Sequence, residues 1–535
     1  MNRSLLKNNW DLILALALYS LLSIFALHYY QHILGDEISY INIAHEYAMG
    51  DWVDAINGYW SPLYSWLIAP FLLIGYTPLY AMYVSKILSL TIGFFTIIGI
   101  RKLSQTLGMN GVVKNAIIFA AVPSILFFSL IYNTPDLLAT LILIYYLSII
   151  FDPEYSNNWL NGILCGFTGA IAYFTKNYLF LFFVIHFILF NLIYYFKGVN
   201  SFKKRNVLKN MTLGLLVFFL ISGLWVGAIS EKYGKLTIST AGEYNHAIAG
   251  PDYPTYPFYY TGLVKPPNKN AISIWDEPSS TKLKLWSPFD SREHFEYELK
   301  LIWYNITRTI HIIESYFLIT FIIIISSLLF IFRPKSEKVS KNTIAYLLVT
   351  ILIYAGGYIF IAVEWRYFFF IFLLIILMSF YLINSLYKNR ILTPALRNIL
   401  LIILIVSFTV EPVSEVISFG STDDSGYSLS TTLKDEYGIH GNIASNHWNG
   451  PTLSICYFLS AKYYGQPKKT NNSYDLQKEL ENNNIDYYFV WDKDKSAKLP
   501  NSEFWYDNEN ITFTEYKEIT AGKIDGLKIY AKIKN

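Results

Sequence analysis

The sequence predicts a polytopic α-helical membrane protein of about eleven transmembrane helices, followed by a C-terminal extracytoplasmic α/β domain. Three observations carry this. The 535 residues are 53% hydrophobic and only 15% charged, with a mean hydropathy of +0.33. Apolar runs of membrane-spanning length recur through the first four fifths of the chain, far more than a soluble core needs. Basic residues gather in alternate connections between those runs, as they do when one set of loops faces the cytoplasm. A net charge of +3 leaves no electrostatic footprint for nucleic acid.

The spans read, in order, 12–29, 81–100, 116–132, 137–151, 159–174, 178–196, 211–229, 316–332, 344–363, 368–386 and a weaker one at 399–416. The first follows a short start carrying Arg3 and Lys7 but has no small-residue cleavage site after it, so it reads as a retained signal anchor. Segment 62–76 is apolar but short and bracketed by Pro62 and Pro78, and reads as interfacial or re-entrant. With the N-terminus inside, the cytoplasmic loops carry Arg101, Lys102 and Lys114, then Lys197, Lys203, Lys204, Arg205 and Lys209. They continue with Arg333, Lys335, Lys338 and Lys341, then Lys388, Arg390 and Arg397. Counting 62–76 as a span would put every one of those clusters outside, so eleven spans and an external C-terminus follow.

This assigns residues 1–416 to the membrane domain, with external loops at 35–80 and 230–315, and residues 417–535 to the extracytoplasmic domain. In the long loop, 292–313 has helical periodicity and is expected along the membrane surface. In the tail, 441–446, 485–491, 511–516 and 526–533 read as strands, and 451–464 and 474–483 as helices. Cys165 lies in an apolar run and Cys456 in the polar tail, which argues against a disulfide between them.

The candidate chemistry sits at the outer face. Asp36 and Glu37 follow the first span, and the stretch 35–80 adds Glu46, Asp51 and Asp54 with no Lys or Arg. Acids beside a bilayer without counter-charge are costly unless they meet water, a cation or a substrate. Adjacent residues diverge on a helix or strand, so one can serve as base while the other holds a hydroxyl, a metal or a loop, and a solvated turn after the first span is the plain alternative. Asp136, in Thr134-Pro135-Asp136, opens the fourth span, where helix capping is by itself a complete and plainer account. Lys86, Lys176 and Arg366 break the charge rule by falling at external ends of spans. Snorkelling explains any one of them, and three together suit a membrane-embedded phosphate. Glu364 stands two residues before Arg366 and suits a simple pair with it. His246, Lys265, Arg292 and His294 in the long loop are candidates to touch a sugar or acceptor, with ordinary surface placement the plainer account. No nucleotide-binding loop or zinc spacing is visible, so no nucleotide cofactor is expected, while a divalent cation stays open.

Several short motifs together resemble the GT-C glycosyltransferase superfamily, nearest to the branch of protein O-mannosyltransferases and lipid A aminoarabinose transferases. They are Gly35-Asp36-Glu37-Ile38-Ser39-Tyr40, Gly58-Tyr59-Trp60-Ser61-Pro62-Leu63-Tyr64, Thr134-Pro135-Asp136, Phe174-Thr175-Lys176-Asn177 and Glu364-Trp365-Arg366-Tyr367. The resemblance spans residues 12–386 and implies a GT-C type fold. It also implies inverting transfer of a sugar from a polyprenyl or dolichyl phosphate to an extracytoplasmic glycan, lipid or protein. By family pattern Asp36 is the base, Glu37 and Asp136 support it, and Arg366, Lys86 and Lys176 meet the donor phosphate. Glu364, Tyr367, Trp60 and Tyr64 then fall among the substrate contacts. The chain departs from the lipid A enzymes in having Trp60-Ser61-Pro62 where they usually carry Lys-Pro-Pro, and it lacks the Trp-Trp-Asp of oligosaccharyltransferases. The competing readings are a lipid-linked glycan flippase, which calls for charges deep in the spans, and a non-catalytic membrane scaffold, which leaves the outer-face charges without a joint purpose.

Overall fold

The computed structural model describes residues 3–27, 29, 32–198, 200–253, 256–257, 260–317, 319–334, 337–420, 425–446, 451–468, 470, 472–492 and 513–533. In chain order the helices are α1 (Arg3–Leu27), α2 (Gly35–Ala48), α3 (Trp52–Ala55), α4 (Pro62–Leu72), α5 (Pro78–Thr106), α6 (Gly111–Ile131), α7 (Pro135–Ile150), α8 (Leu160–Thr175), α9 (Leu179–Lys197) and α10 (Ser201–Tyr233). They continue with α11 (Ala241–Ile248), α12 (Arg292–Tyr316), α13 (Thr320–Phe332), α14 (Lys338–Tyr358), α15 (Phe369–Lys388), α16 (Pro394–Gly420) and α17 (Ser425–Tyr437). The tail then alternates as β1 (Asn442–Ser445), α18 (Pro451–Leu459), β2 (Lys462–Tyr463), α19 (Ser473–Asn482), β3 (Tyr487–Trp491), β4 (Tyr516–Glu518) and β5 (Leu527–Lys532).

The chain is a multi-pass helical membrane protein with a small C-terminal sheet. Eight of its described helices are long and apolar enough to cross a bilayer, and α12 with α13 gives a ninth if that bent pair counts as one span. Of the remaining expected spans, 137–151 and 159–174 are the 16-residue helices α7 and α8, only about 24 Å long. The expected span 316–332 breaks, so that α13 begins at Thr320 and has 13 residues. Segment 62–76 folds as the 11-residue α4, far short of the hydrocarbon thickness.

At the heart of the bundle α15 is buried along every residue from Phe369 to Ser385, which is why its sequence is apolar all round. Helices α8 and α10 meet backbone to backbone. A Cβ on Gly166 would stand 2.1 Å from the Gly214 carbonyl oxygen, and one on Gly162 would strike the Asn210 backbone. Small residues permit that approach in a membrane, where burial from water offers no drive for association. At one end Asp11 of α1 pairs with Lys114 at 2.9 Å and Arg101 at 3.5 Å, tying α1 to α5 and α6.

At the other end the loops 35–80 and 230–315 meet the C-terminal sheet, whose order is β2-β1-β3-β5-β4. Strands β2, β1 and β3 are parallel, and β5 pairs antiparallel with β3 and β4. The expected helix 451–464 stops at Leu459, because Ser460 takes a left-handed φ of 53° and the chain turns into β2. Of the expected strand 511–516, residues 511 and 512 lie outside the described residues, and β4 begins at Tyr516. One hydrophobic core is continuous from α15 into Leu453 and Tyr457 of α18, so the sheet is packed onto the membrane part. The Tyr457 hydroxyl donates to the Pro78 carbonyl at 2.7 Å across that seam.

Candidate functional site

The site grows from the first turn of α2. Leu34 is extended and the helix begins at Gly35, so Asp36 and Glu37 sit where the free backbone amides favour negative charge. Successive residues on a helix point about 100° apart, and these two carboxylates go to different places. Gly35 has no side chain to spare: a Cβ there would touch Leu453 of α18 at 3.3 Å and the Trp275 ring at 3.7 Å.

Asp36 faces the long loop between α10 and α12 and the hairpin between α14 and α15. Its Oδ2 pairs with Nη2 of Arg366 at 2.5 Å, and its Oδ1 accepts from Nε1 of Trp275 at 2.8 Å. Arg366 is shared, since its Nε donates to Oε2 of Glu364 at 2.8 Å. The side chains of Asp36 and Arg366 are each 15% exposed and that of Glu364 is 40% exposed, so this group opens outward.

Beside it stands a second ion pair, between Lys176 at the end of α8 and Asp136 at the start of α7. Thr134 does not cap the α7 backbone; its hydroxyl donates to Oδ2 of Asp136 at 2.8 Å. Thr134 still occupies the N-cap position, with Pro135 opening the helix and Asp136 in its first turn, but its hydroxyl holds the carboxylate and not a backbone amide. Lys176 lies over the Tyr367 ring at 3.7 Å, and Tyr367 stacks on Tyr358 at 4.8 Å. Arg366 acts electrostatically on both Lys176 and Asp136. Asp36, Asp136 and Glu364 thus meet Arg366 and Lys176 in one cluster, three acids to two cations.

Aromatic rings wall the cluster. Tyr256 meets Trp275 edge to face at 5.2 Å, Trp60 meets Trp275 at 5.6 Å, and Tyr40 meets Trp60 at 5.1 Å. Burial, with the charges of Glu364 and Asp36, pushes the Tyr256 hydroxyl well up, so it remains a phenol. Asn177, next to Lys176, donates to the Tyr59 carbonyl at 3.0 Å and accepts from the Ser61 hydroxyl at 2.9 Å. The motifs around Tyr59 and Lys176 are thereby joined.

Glu37 points inward and is wholly buried. Asn133 donates to its Oε2 at 3.3 Å, and Lys86 acts on it electrostatically. Lys86 is itself 2% exposed and donates to the His32 carbonyl at 2.8 Å. Tyr64 lies on this inner side, its hydroxyl 3.2 Å from that of Ser85. Of the three cations expected at the outer face, then, Arg366 and Lys176 come together and Lys86 stands behind Glu37.

The remaining candidates lie elsewhere. His246 stacks on Trp286 at 4.6 Å, and His294 meets the same ring at 5.7 Å. Arg292 is 87% exposed and pairs with Glu296 one turn along α12, while Lys265 is exposed. The sequence reading missed Trp275 and Asp276, although the Ile274-Trp275-Asp276 run is conspicuous in a polar loop. Asp276 accepts from Ser39 and Asn42 of α2 at 2.9 Å each. Among the described residues no group of three or more His, Cys, Asp or Glu is placed to hold a metal, and both oxygens of Asp36 are engaged by an arginine and an indole. This donor set does not fit an ion held by side chains.

No family model matches the chain, and no curated protein matches it in sequence. Solved structures do. ArnT from Cupriavidus metallidurans bound to undecaprenyl phosphate aligns over 98% of this chain and 98% of its own, at 11% identity and a TM-score of 0.56. The archaeal oligosaccharyltransferase AglB from Archaeoglobus fulgidus, in complex with an inhibitory peptide and a dolichol-phosphate, aligns over 99% of this chain and 75% of its own, at 11% identity and a TM-score of 0.56. The same enzyme in complex with Zn and sulfate covers 98% of this chain and 73% of its own, at 12% identity and a TM-score of 0.56. Nearly the whole chain therefore shares the fold of these two GT-C glycosyltransferases.

Proposed function

We propose that the chain is an integral-membrane glycosyltransferase that takes a sugar from a polyprenyl- or dolichyl-phosphate carrier and passes it to an extracytoplasmic hydroxyl with inversion. The observation that carries this reading is Arg366, shared between Asp36 and Glu364 at the open side of the cluster, with Lys176 beside it. A phosphate arriving there gives Arg366 a new anionic partner and releases Asp36. Asp36 then takes the proton of the acceptor hydroxyl as its oxygen bonds to the anomeric carbon. The bond from that carbon to the carrier phosphate breaks, its electrons leave with the phosphate, and Arg366 and Lys176 meet the added charge. Glu37 has no exposed atom from which to act as base, and we assign it, with Lys86, to holding the first turn of α2. Asp136 keeps Lys176 in place, and Tyr59, Trp60, Tyr256 and Tyr367 offer ring faces to a sugar. The likeness to ArnT with undecaprenyl phosphate and AglB with dolichol-phosphate supports a lipid-phosphate donor.

The test is release of undecaprenyl or dolichyl phosphate from a panel of carrier-linked hexoses and pentoses by the purified chain, with glycan, lipid and peptide acceptors. Turnover is expected on at least one carrier; none on any, by folded protein that binds undecaprenyl phosphate, sinks the transferase reading. The orientation goes with it: the N-terminus in the cytoplasm, and residues 417–535 outside, packed onto the membrane part. A reporter fused after the last residue should be active only in its exported form, and cytoplasmic activity there would put Asp36 on the wrong side.

A further inference from the structure

Asp36 is held from one side by an indole that belongs to neither α2 nor the membrane bundle, and the loop bearing that indole is clamped by the C-terminal sheet. Strand β2 lies at the sheet's edge, and its outer side is covered by the long loop. The Tyr463 amide donates to the Ile272 carbonyl at 2.7 Å, and the Val264 amide donates to the Tyr464 carbonyl at 2.9 Å. Lys462 extends its ammonium to the carbonyls of Lys269, at 2.6 Å, and Ala271.

From this clamp the loop runs directly to Trp275 and Asp276. Asp276 is 4% exposed, and its carboxylate collects the Ile272 amide at 2.7 Å together with Ser39 and Asn42 of α2. Its carbonyl accepts from Asn57 at 2.8 Å. The Trp275 carbonyl accepts from the Trp60 indole at 2.9 Å and the Ser39 hydroxyl at 3.2 Å. Every one of these bonds fixes the two-residue backbone from which the Trp275 indole reaches Asp36. A buried carboxylate so fully supplied with donors is a structural anchor.

We propose that Trp275 is a positioning residue for Asp36, and that the C-terminal sheet sets its place through Lys462 and Tyr463. This rests on Asp36 being the base. The indole N–H orients the carboxylate and stabilises its charged form, while Arg366 is free to exchange partners. Arg366 and Glu364 face Asp36 from the hairpin, Tyr256 from the long loop, Tyr40 from α2 and Tyr59 from the loop before α4. Asp136 and Lys176 stand behind Arg366, and Glu37 is next in the chain.

Two readouts on the full-length protein in detergent test the proposal. With 5-fluorotryptophan at all 13 tryptophans, the fluorine resonance of Trp275 is identified by its loss in Trp275→Phe. It should shift in Asp36→Asn and in Lys462→Met, and stay in place in Lys284→Met, whose ammonium pairs with Asp252 at 3.0 Å elsewhere in the loop. A Trp275 resonance unchanged by Asp36→Asn overturns the coupling, and one unchanged by Lys462→Met overturns the role of the sheet. The second readout is turnover of whichever undecaprenyl-phosphate-linked hexose or pentose the wild type accepts. Trp275→Phe should lower kcat about tenfold with KM little changed. A kcat left at the wild-type level, or a fall in kcat matched by a rise in KM, would reduce Trp275 to a packing residue and overturn the proposal. Coupling by fluorine without turnover of any carrier-linked sugar would instead overturn the transferase reading and leave the Trp275–Asp36 contact standing.

Discussion

On the outer side of the first turn of α2, Asp36 meets an arginine it shares with Glu364 and an indole lent by a distant loop, and retains some exposure. On the inner side Glu37, its neighbour in sequence, is sealed with Lys86 and Asn133. The same chemical group meets different surroundings in the two places: the Asp36 side borders the open face of the cluster, whereas the Glu37 side is walled in. On the proposed mechanism, two adjacent acids thereby divide into one for proton transfer and one for holding a helix start.

The sharpest way to break this contrast is to neutralise each acid. Asp36→Asn keeps size and most hydrogen bonds but cannot take a proton, so carrier turnover should fall by 10²–10⁴-fold, an order-of-magnitude expectation, with undecaprenyl phosphate still bound. Glu37→Gln should retain far more activity; the reverse ranking in matched turnover assays would move the base to Glu37. Next in size, Lys86→Met removes the cation beside the sealed carboxylate and should cost about 3 kcal/mol in stability. Adding Glu37→Gln should restore part of that, as read from denaturation in detergent, and an additive double variant would mean the two groups are independent. Arg366→Ala should weaken undecaprenyl phosphate binding by roughly 1.5–3 kcal/mol, about tenfold or more. Lys338→Ala, at the start of α14, is the control, and equal affinities of the two variants would remove Arg366 from the donor site.

The smallest effect is a pH dependence of stability. Burial pushes the Glu37 carboxyl up from an ordinary 4.5 to about 7, against the opposing charge of Lys86. Burial, with the charge of Asp276, takes Glu46 to about 8. A carboxyl raised on folding binds more protons folded than unfolded. Its contribution is therefore full below about pH 4.5 and is lost as the pH rises through 7 and 8. The thermal midpoint should fall over that window, Glu37→Gln should flatten the lower part, and Glu46→Gln the upper. A midpoint that falls equally in both variants would assign the loss to other groups.

How far the sequence led depends on the kind of signal each residue leaves. Lys176 and Arg366 are isolated cations between apolar runs, and Asp36 opens a stretch without basic residues, so charge and hydropathy alone single them out. Lys86 leaves the same trace, yet packing behind Glu37 decides its place, and that is a property of how α2 meets α5. Trp275 is 239 residues from Asp36 and one aromatic among many, so no spacing connects them. Asp276 resembles any loop acid until its donors are seen to come from three separate segments. Most expected spans fall on long apolar helices, but α7 and α8 have only 16 residues each and α13 starts late, at a break that hydropathy alone does not mark. In the tail, β2 was hidden inside an expected helix, being two residues long and held by partners outside the sheet.

The covered edge of β2 also orders the assembly of the chain. Residues 262–273 are synthesised long before the sheet, and they occupy the side of β2 that would otherwise present unpaired amides and carbonyls to any passing strand. The C-terminal segment, made last, needs that loop in place for the edge of β2 to be covered as it is in the native fold. The same segment made alone would display a raw edge and be prone to stick to copies of itself. Sheet completion becomes a late step that depends on correct insertion of the helices before it, so the last strands to form report on whether the membrane part was built properly.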